Sequence, residues 1–208
     1  MRILQQVFAN TRRPAGLIGK LMVSGMNSGD HAKLAKWGLR HITLRGDEAV
    51  LDCGCGGGAN VKKFLKLAPR GKVTGLDYSE VSVAKSLRVN AEAIAAGRCE
   101  IVRGSVEKLP FADGSFDVAS AFETVYFWPG LTDCFKEVCR VLKPGGFFLI
   151  VNEADGKHEK TLRWTKIIDG MTVYTGQQLK TALQTAGFSN VEVDDDEAND
   201  RLTIIARK

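Results

Sequence analysis

Proline is scarce in this chain, five in 208 residues, and no Pro-, Gly- or Ser-rich tract divides one part from another. That excludes a linker of the usual composition, and the length suits one core rather than two. Long apolar runs are missing as well: nothing approaches the roughly 18 to 20 residues of a membrane span. Lys20 splits the apolar stretch that follows Arg12 and Arg13, and no small-residue cleavage site comes after it. Neither an export signal nor a span is expected, and the reading is cytoplasmic. Only three histidines are present, and Cys53 and Cys55 have no second cysteine pair or histidine close by. A structural zinc site needs about four ligands, so no metal is expected. Five cysteines, an odd number in a chain too large to need staples, fit a reducing setting.

Acids are nearly absent from residues 1–46, which hold eight Lys or Arg against Asp30 alone, whereas Glu192 to Asp200 carries six acids and no base. A basic arm can serve nucleic acid or an anionic partner. Here it lacks interleaved stacking aromatics, so a solvated surface is the expectation, with an RNA partner left open.

What is present is an alternation of two periods. Ala49–Cys53 is a short apolar run, and Val61, Phe64, Leu65 and Ala68 then recur on one helical face until Pro69 and Gly71. Lys72 to Asp77 reads as a second strand. Ser79 caps a helix expected to run through Ala84, Leu87, Ala91 and Ala95 to Gly97, although Ser82 is not the Glu of a capping box. Strands follow at Glu100–Arg103 and Phe116–Phe122. Leu131, Phe135, Val138 and Leu142 mark a helix closed by Pro144–Gly146, and Phe147–Val151 is a fifth strand. A helix with Leu179, Ala182, Leu183 and Ala186 precedes two strands, Val191–Val193 and Leu202–Ala206, read as an antiparallel hairpin.

The expectation is an α/β, doubly wound, mostly parallel seven-stranded sheet of Rossmann-like type with that terminal hairpin. A single domain is expected: an N-terminal helical lid over 1–46, a cofactor-binding core over 47–153, and C-terminal helices and hairpin over 154–208.

The segment VLDCGCGGGAN, Val50 to Asn60, concentrates five Gly or Ala among its last seven residues, which invites close approach to the backbone. GCGGGA fits the dinucleotide fingerprint, with Asp77 placed 23 residues after Gly54. An NAD-dependent oxidoreductase is one reading. Against it, Asp52 would repel a pyrophosphate, and none of Tyr78, Tyr126 and Tyr174 has a lysine four residues on.

VLDCGCGGGAN, GLDYSE, GSVEKLPFADGSFDVASAF and FKEVCRVLKPGGFFLI, in that order, resemble a class I S-adenosylmethionine-dependent methyltransferase over about Ala49 to Val151. The likeness is to the branch that includes ubiquinone and menaquinone biosynthesis enzymes. It implies S-adenosylmethionine as cofactor, with the Gly54, Cys55, Gly56 and Gly58 backbone beside the methionine and adenosine. Asp52 then attracts the ammonium, and Asp77 accepts from both ribose hydroxyls. Tyr78 and Val106 sandwich the adenine, and Glu123 contacts the ammonium or acts as a base. Ser105 departs from the pattern, since relatives carry Asp there. A neutral bond contributes about 0.5 to 1.5 kcal/mol, against about 1.5 to 3 for a charged one, so adenine is expected to be held mainly by stacking and the Val106 backbone.

The acceptor wall is expected from FETVYFWPG and the lid, with Glu123, Tyr126, Trp128 and His31 as candidates. ETVY stands where amino-directed nucleic-acid methyltransferases carry Asn-Pro-Pro-aromatic. The expected acceptor is therefore a small or medium, apolar or aromatic molecule, with C- or O-methylation ahead of N-methylation. A non-catalytic S-adenosylmethionine-binding protein is the remaining alternative.

Overall fold

The computed structural model describes residues 29–208. The expectations for Arg2, Arg12, Arg13 and Lys20 lie outside the described residues. Seven strands form one sheet: β1 (Ala49–Cys53), β2 (Lys72–Asp77), β3 (Cys99–Arg103), β4 (Phe116–Phe122), β5 (Leu142–Asn152), β6 (Asn190–Asp196) and β7 (Arg201–Arg207). Their spatial order is β3-β2-β1-β4-β5-β7-β6. The first five are parallel, and β7 runs antiparallel to both β5 and β6.

β1, β2 and β4 are buried almost from end to end, which is why they read as unbroken apolar runs rather than alternating ones. Helices cover both faces. On one lie α1 (Asp30–Gly38) and α2 (Ala59–Leu67), whose Leu34, Ala35, Val61, Phe64 and Leu65 pack on Val50, Val118, Leu149 and Val151. On the other lie α5 (Leu131–Val141) and α7 (Gly176–Thr185), whose Phe135, Val138, Leu179 and Leu183 pack on Leu51, Phe148, Ile150, Leu202 and Ile204. Gly38 lets α1 lie directly on β5, because a Cβ there would overlap the Val151 side chain.

Two boundaries differ from the sequence reading. The long helix expected from Ser79 to Gly97 is two, α3 (Glu80–Val89) and α4 (Ala91–Ala95), broken at Asn90. The Asn90 side chain donates to the carbonyls of Gly58 (3.2 Å) and Ser86 (3.0 Å), and this use of the buried amide fixes the break. Strand β5 begins five residues before Phe147, at Leu142, with a register shift where Phe116 and Val118 meet it. A short helix, α6 (Glu159–Leu162), follows β5. Among the described residues no helix is long and apolar enough to cross a membrane.

Candidate active site

β1 and β4 are neighbours whose following loops diverge, the point at which open α/β sheets bind ligands. Between those loops is a hollow walled by Gly54–Gly57 after β1, by Ala59, Asn60 and Lys63 of α2, by Phe122–Thr124 after β4, and by His31, Ala32 and Leu34 of α1. Its empty space, counted out to the open mouth, is about 600 Å³. Of the segment expected as a lid, α1 is the part that lines this hollow among the described residues.

The loop hangs from β2, with Gly54 and Cys55 both donating their N–H groups to the Leu76 carbonyl (2.7 and 3.0 Å). Three of its glycines have different reasons. A Cβ on Gly54, at φ 76°, would stand 2.5 Å from Thr124 Cγ2, and one on Gly58, at φ 80°, would collide with Ser86 and Asn90. Protein packing alone demands those two. Gly56, at φ 52°, has nothing within 4 Å of a Cβ, so its bare backbone faces open space. Of the three, Gly56 alone meets no neighbour among the described residues. The Cys55 side chain turns the other way, buried near Gly75 and Ser86, and contributes backbone only.

Asp77 is buried, and each of its oxygens accepts a backbone N–H: Oδ1 from Ser79 (2.8 Å) and Oδ2 from Gly56 (2.9 Å). Burial pushes its carboxyl up, and those two N–H groups oppose the rise. Asp77 is thus the strut between the end of β2 and the glycine loop. Asp52 lies behind the loop, 1% exposed, with Oδ1 accepting from the Ser120 hydroxyl (2.8 Å) and Oδ2 buried without a partner among the described residues. Burial pushes it up to about 7, against the Ser120 bond and the charge of Lys63.

Glu123 is the first residue past β4 and holds φ 60°, a strained conformation for a glutamate. Oε1 accepts from the Tyr126 hydroxyl (3.1 Å) and from the Glu153 N–H. Burial pushes its carboxyl up to about 8. His31, Glu123 and Glu153 bring their donor atoms within 4.8 Å of one another at the mouth.

The other expected residues differ in their surroundings. Trp128 is not on the acceptor side: its ring stacks on Phe148 (6.0 Å between centroids) and meets Phe135 edge-on (5.8 Å), inside the α5–α7 core. Tyr126 is buried behind Glu123, its oxygen also accepting the Ala154 N–H (3.0 Å), so it braces the loop rather than lining the hollow. The Val106 side chain belongs to the same core as Trp128. Tyr78, 37% exposed, stands at the end of β2. Ser105 donates to Glu107 Oε2 (2.9 Å) and accepts the Glu107 N–H (3.3 Å). Sequence reading missed Thr124, Asn60 and Lys63. The i, i+3 spacing of Asn60 and Lys63 at the start of an otherwise amphipathic helix was the available signal.

Residues 51–150 match the model of a methyltransferase domain. The sheet order, with its antiparallel last strand, is that of a Rossmann-like methyltransferase fold. The chain is similar to cycloartenol-C-24-methyltransferase 1 of Oryza sativa subsp. japonica, 33% identical over 148 residues, which is 67% of this chain and 43% of the relative. It is also similar to a sterol 4-C-methyltransferase of Caenorhabditis elegans, 33% identical over 144 residues, 64% of this chain and 42% of the relative. The chain therefore spans less than half the length of these curated relatives. Among solved structures, a Haloferax volcanii putative methyltransferase in complex with the Trm112 methyltransferase activator aligns with TM-score 0.81 at 21% identity, over 89% of this chain and 93% of that one.

Proposed function

We propose that the protein transfers a methyl group from S-adenosylmethionine to a carbon of a small or medium apolar acceptor. Gly56 carries this reading: its bare backbone faces the hollow, and it stands between a buried acid and an uncapped helix start. The residues present fit the cofactor. Gly58 offers no side chain to cap the first N–H groups of α2, which suits a carboxylate. Asp52, with an oxygen lacking a partner, supplies negative potential behind the loop for an ammonium. Asp77 keeps a second lone pair on each oxygen for ribose hydroxyls, and Tyr78 offers a ring for adenine.

When bound, S-adenosylmethionine supplies an electrophilic methyl on a sulfonium. The chain's own residues orient the acceptor and exclude water. Leu34, Ala32 and Phe122 give the hollow an apolar wall, and Glu123, pushed up to about 8, holds its proton near neutral pH until a cation draws it off. Once ionised beside that positive charge, the Glu123 carboxylate can accept the proton a carbon nucleophile loses on methylation.

The two relatives to which the chain is similar are named for methylation at a sterol carbon, which supports a carbon acceptor on an apolar molecule. The test is transfer of labelled methyl into sterol and polyprenyl-quinone precursors, with bulk RNA as a third arm. Incorporation into an extractable apolar product is the expected result, and label in RNA alone overturns the acceptor assignment. Thermal stabilisation by S-adenosylhomocysteine and not by NAD is expected in parallel. The opposite pattern restores the oxidoreductase.

A further inference from the structure

Helix α2 carries three lysines, Lys62, Lys63 and Lys66, of which Lys62 and Lys66 are exposed to solvent. Lys63 lines the hollow. Its Nζ donates to Asn60 Oδ1 at 2.7 Å, one turn back toward the helix start, so the ammonium is held beside the residues that open the helix. Among the described residues no carboxylate lies within 4.0 Å of it, although eleven other Lys, Arg or His side chains form ion pairs. Burial lowers its affinity for a proton, and the charge of Asp52 behind the glycine loop works the other way.

A half-buried cation here is an electrostatic anomaly. The ligand proposed for this hollow carries a sulfonium and an ammonium, and like charges in a partly dehydrated site repel more strongly than in water. The conflict disappears if an anion stands between them. Of the groups on S-adenosylmethionine, only the methionine carboxylate is anionic, and the first turn of α2 already favours negative charge.

We infer that Lys63, steadied by Asn60, forms with the start of α2 the subsite for the methionine carboxylate. Asp52 deals with the ammonium from behind the loop, so the two ends of the amino acid group are sorted by opposite charges on either side of it. This rests on the cofactor reading given above. Lys63 is a cofactor-positioning residue and takes no part in the chemistry.

The test is calorimetric affinity for S-adenosylmethionine and for decarboxylated S-adenosylmethionine, in the wild type and in Lys63→Met, Lys63→Arg and the exposed-site control Lys62→Met. Lys63→Met should weaken S-adenosylmethionine about tenfold or more and change the decarboxylated ligand by less than about twofold. Lys63→Arg should stay within about threefold, and Lys62→Met should match the wild type. Equal loss for both ligands shows a packing role and overturns the inference, as does no loss for either. Unchanged cofactor affinity with a raised KM for the acceptor reassigns Lys63 to an anionic acceptor. A wild type that binds neither ligand overturns the cofactor reading itself, and this inference with it.

Discussion

Asp77 Oδ2 accepts the Gly56 N–H at 2.9 Å, while its other oxygen accepts from Ser79. One carboxylate thereby fixes the loop after β1 to the start of the helix after β2. Asp77→Ala should remove both bonds at once. The expected cost is about 1 to 3 kcal/mol of stability, read as a lower urea midpoint, together with a loss of S-adenosylhomocysteine affinity of at least about tenfold. Full affinity in a destabilised protein would show that Asp77 braces the loop without touching the ribose.

The glycines should separate fold from function. Gly56→Ala meets no neighbour and costs only its left-handed backbone, about 1 kcal/mol, so it should fold while cofactor affinity falls sharply. Gly54→Ala must displace Thr124, whose Cγ2 lies 2.5 Å from the new Cβ. It should destabilise more, with partial recovery in the Gly54→Ala, Thr124→Ser double variant. Thermal melts alongside calorimetry distinguish the two patterns.

Stability should fall as pH rises through neutrality. Asp52 is held up to about 7 in the fold, against about 3.9 in an unfolded chain, and Glu123 up to about 8 against about 4.3. The folded state binds these protons more tightly. The stabilisation is therefore complete below about pH 4 and lost as pH rises to 7 or 8, at about 1.4 kcal/mol per pH unit for each group. Urea melts at pH 5.5, 7 and 8.5 measure the slope. Asp52→Asn should flatten it below pH 7 and Glu123→Gln up to pH 8. Unchanged slopes would mean that neither carboxyl is held neutral.

Trp128 should prove to be a core residue. Trp128→Ala is expected to cost about 3 to 5 kcal/mol, because Phe135 and Phe148 lose their partner, whereas Trp128→Phe should retain most of the stability and the same acceptor KM. A changed KM in a stable Trp128→Phe protein would return this ring to the acceptor side.

Ser105→Ala should lose less than about tenfold in cofactor affinity, roughly 1.4 kcal/mol. Its hydroxyl proton is committed to Glu107 at 2.9 Å, which leaves a neutral acceptor alone for the adenine amino group. A larger loss, measured by calorimetry, would make that acceptor the main hold on adenine.

The sheet was legible because β1, β2 and β4 are buried on both faces, so each strand announces itself as an apolar run between turn residues. The loop after β1 was legible for a related reason: GCGGGA between a strand and a helix, with Asp77 23 residues after Gly54, marks the turn that Asp77 ties to the end of β2. What stayed hidden depends on partners distant in sequence. Asn90 breaks its helix by serving Gly58, 32 residues earlier, which no local pattern records. Trp128 and Tyr126 lie in one aromatic run with Phe127, yet they enter different environments because the short turn at Val125–Phe127 rotates them apart. Lys63 looks like its neighbours Lys62 and Lys66 until α1 is laid across the loop to make a wall.

Strand β7 follows β6 in the chain yet lies between β6 and β5, and β6 has no other neighbour in the sheet. During synthesis β6 must wait: until β7 has left the ribosome and paired with β5, β6 has nothing to join. Over that interval Leu179 and Leu183 of α7, which end up fully buried, lack the Leu202 and Ile204 surface that completes their pocket. Closing this edge is thus one late event that recruits a strand and a helix together. Variants that slow it should aggregate during expression even when the finished protein is stable.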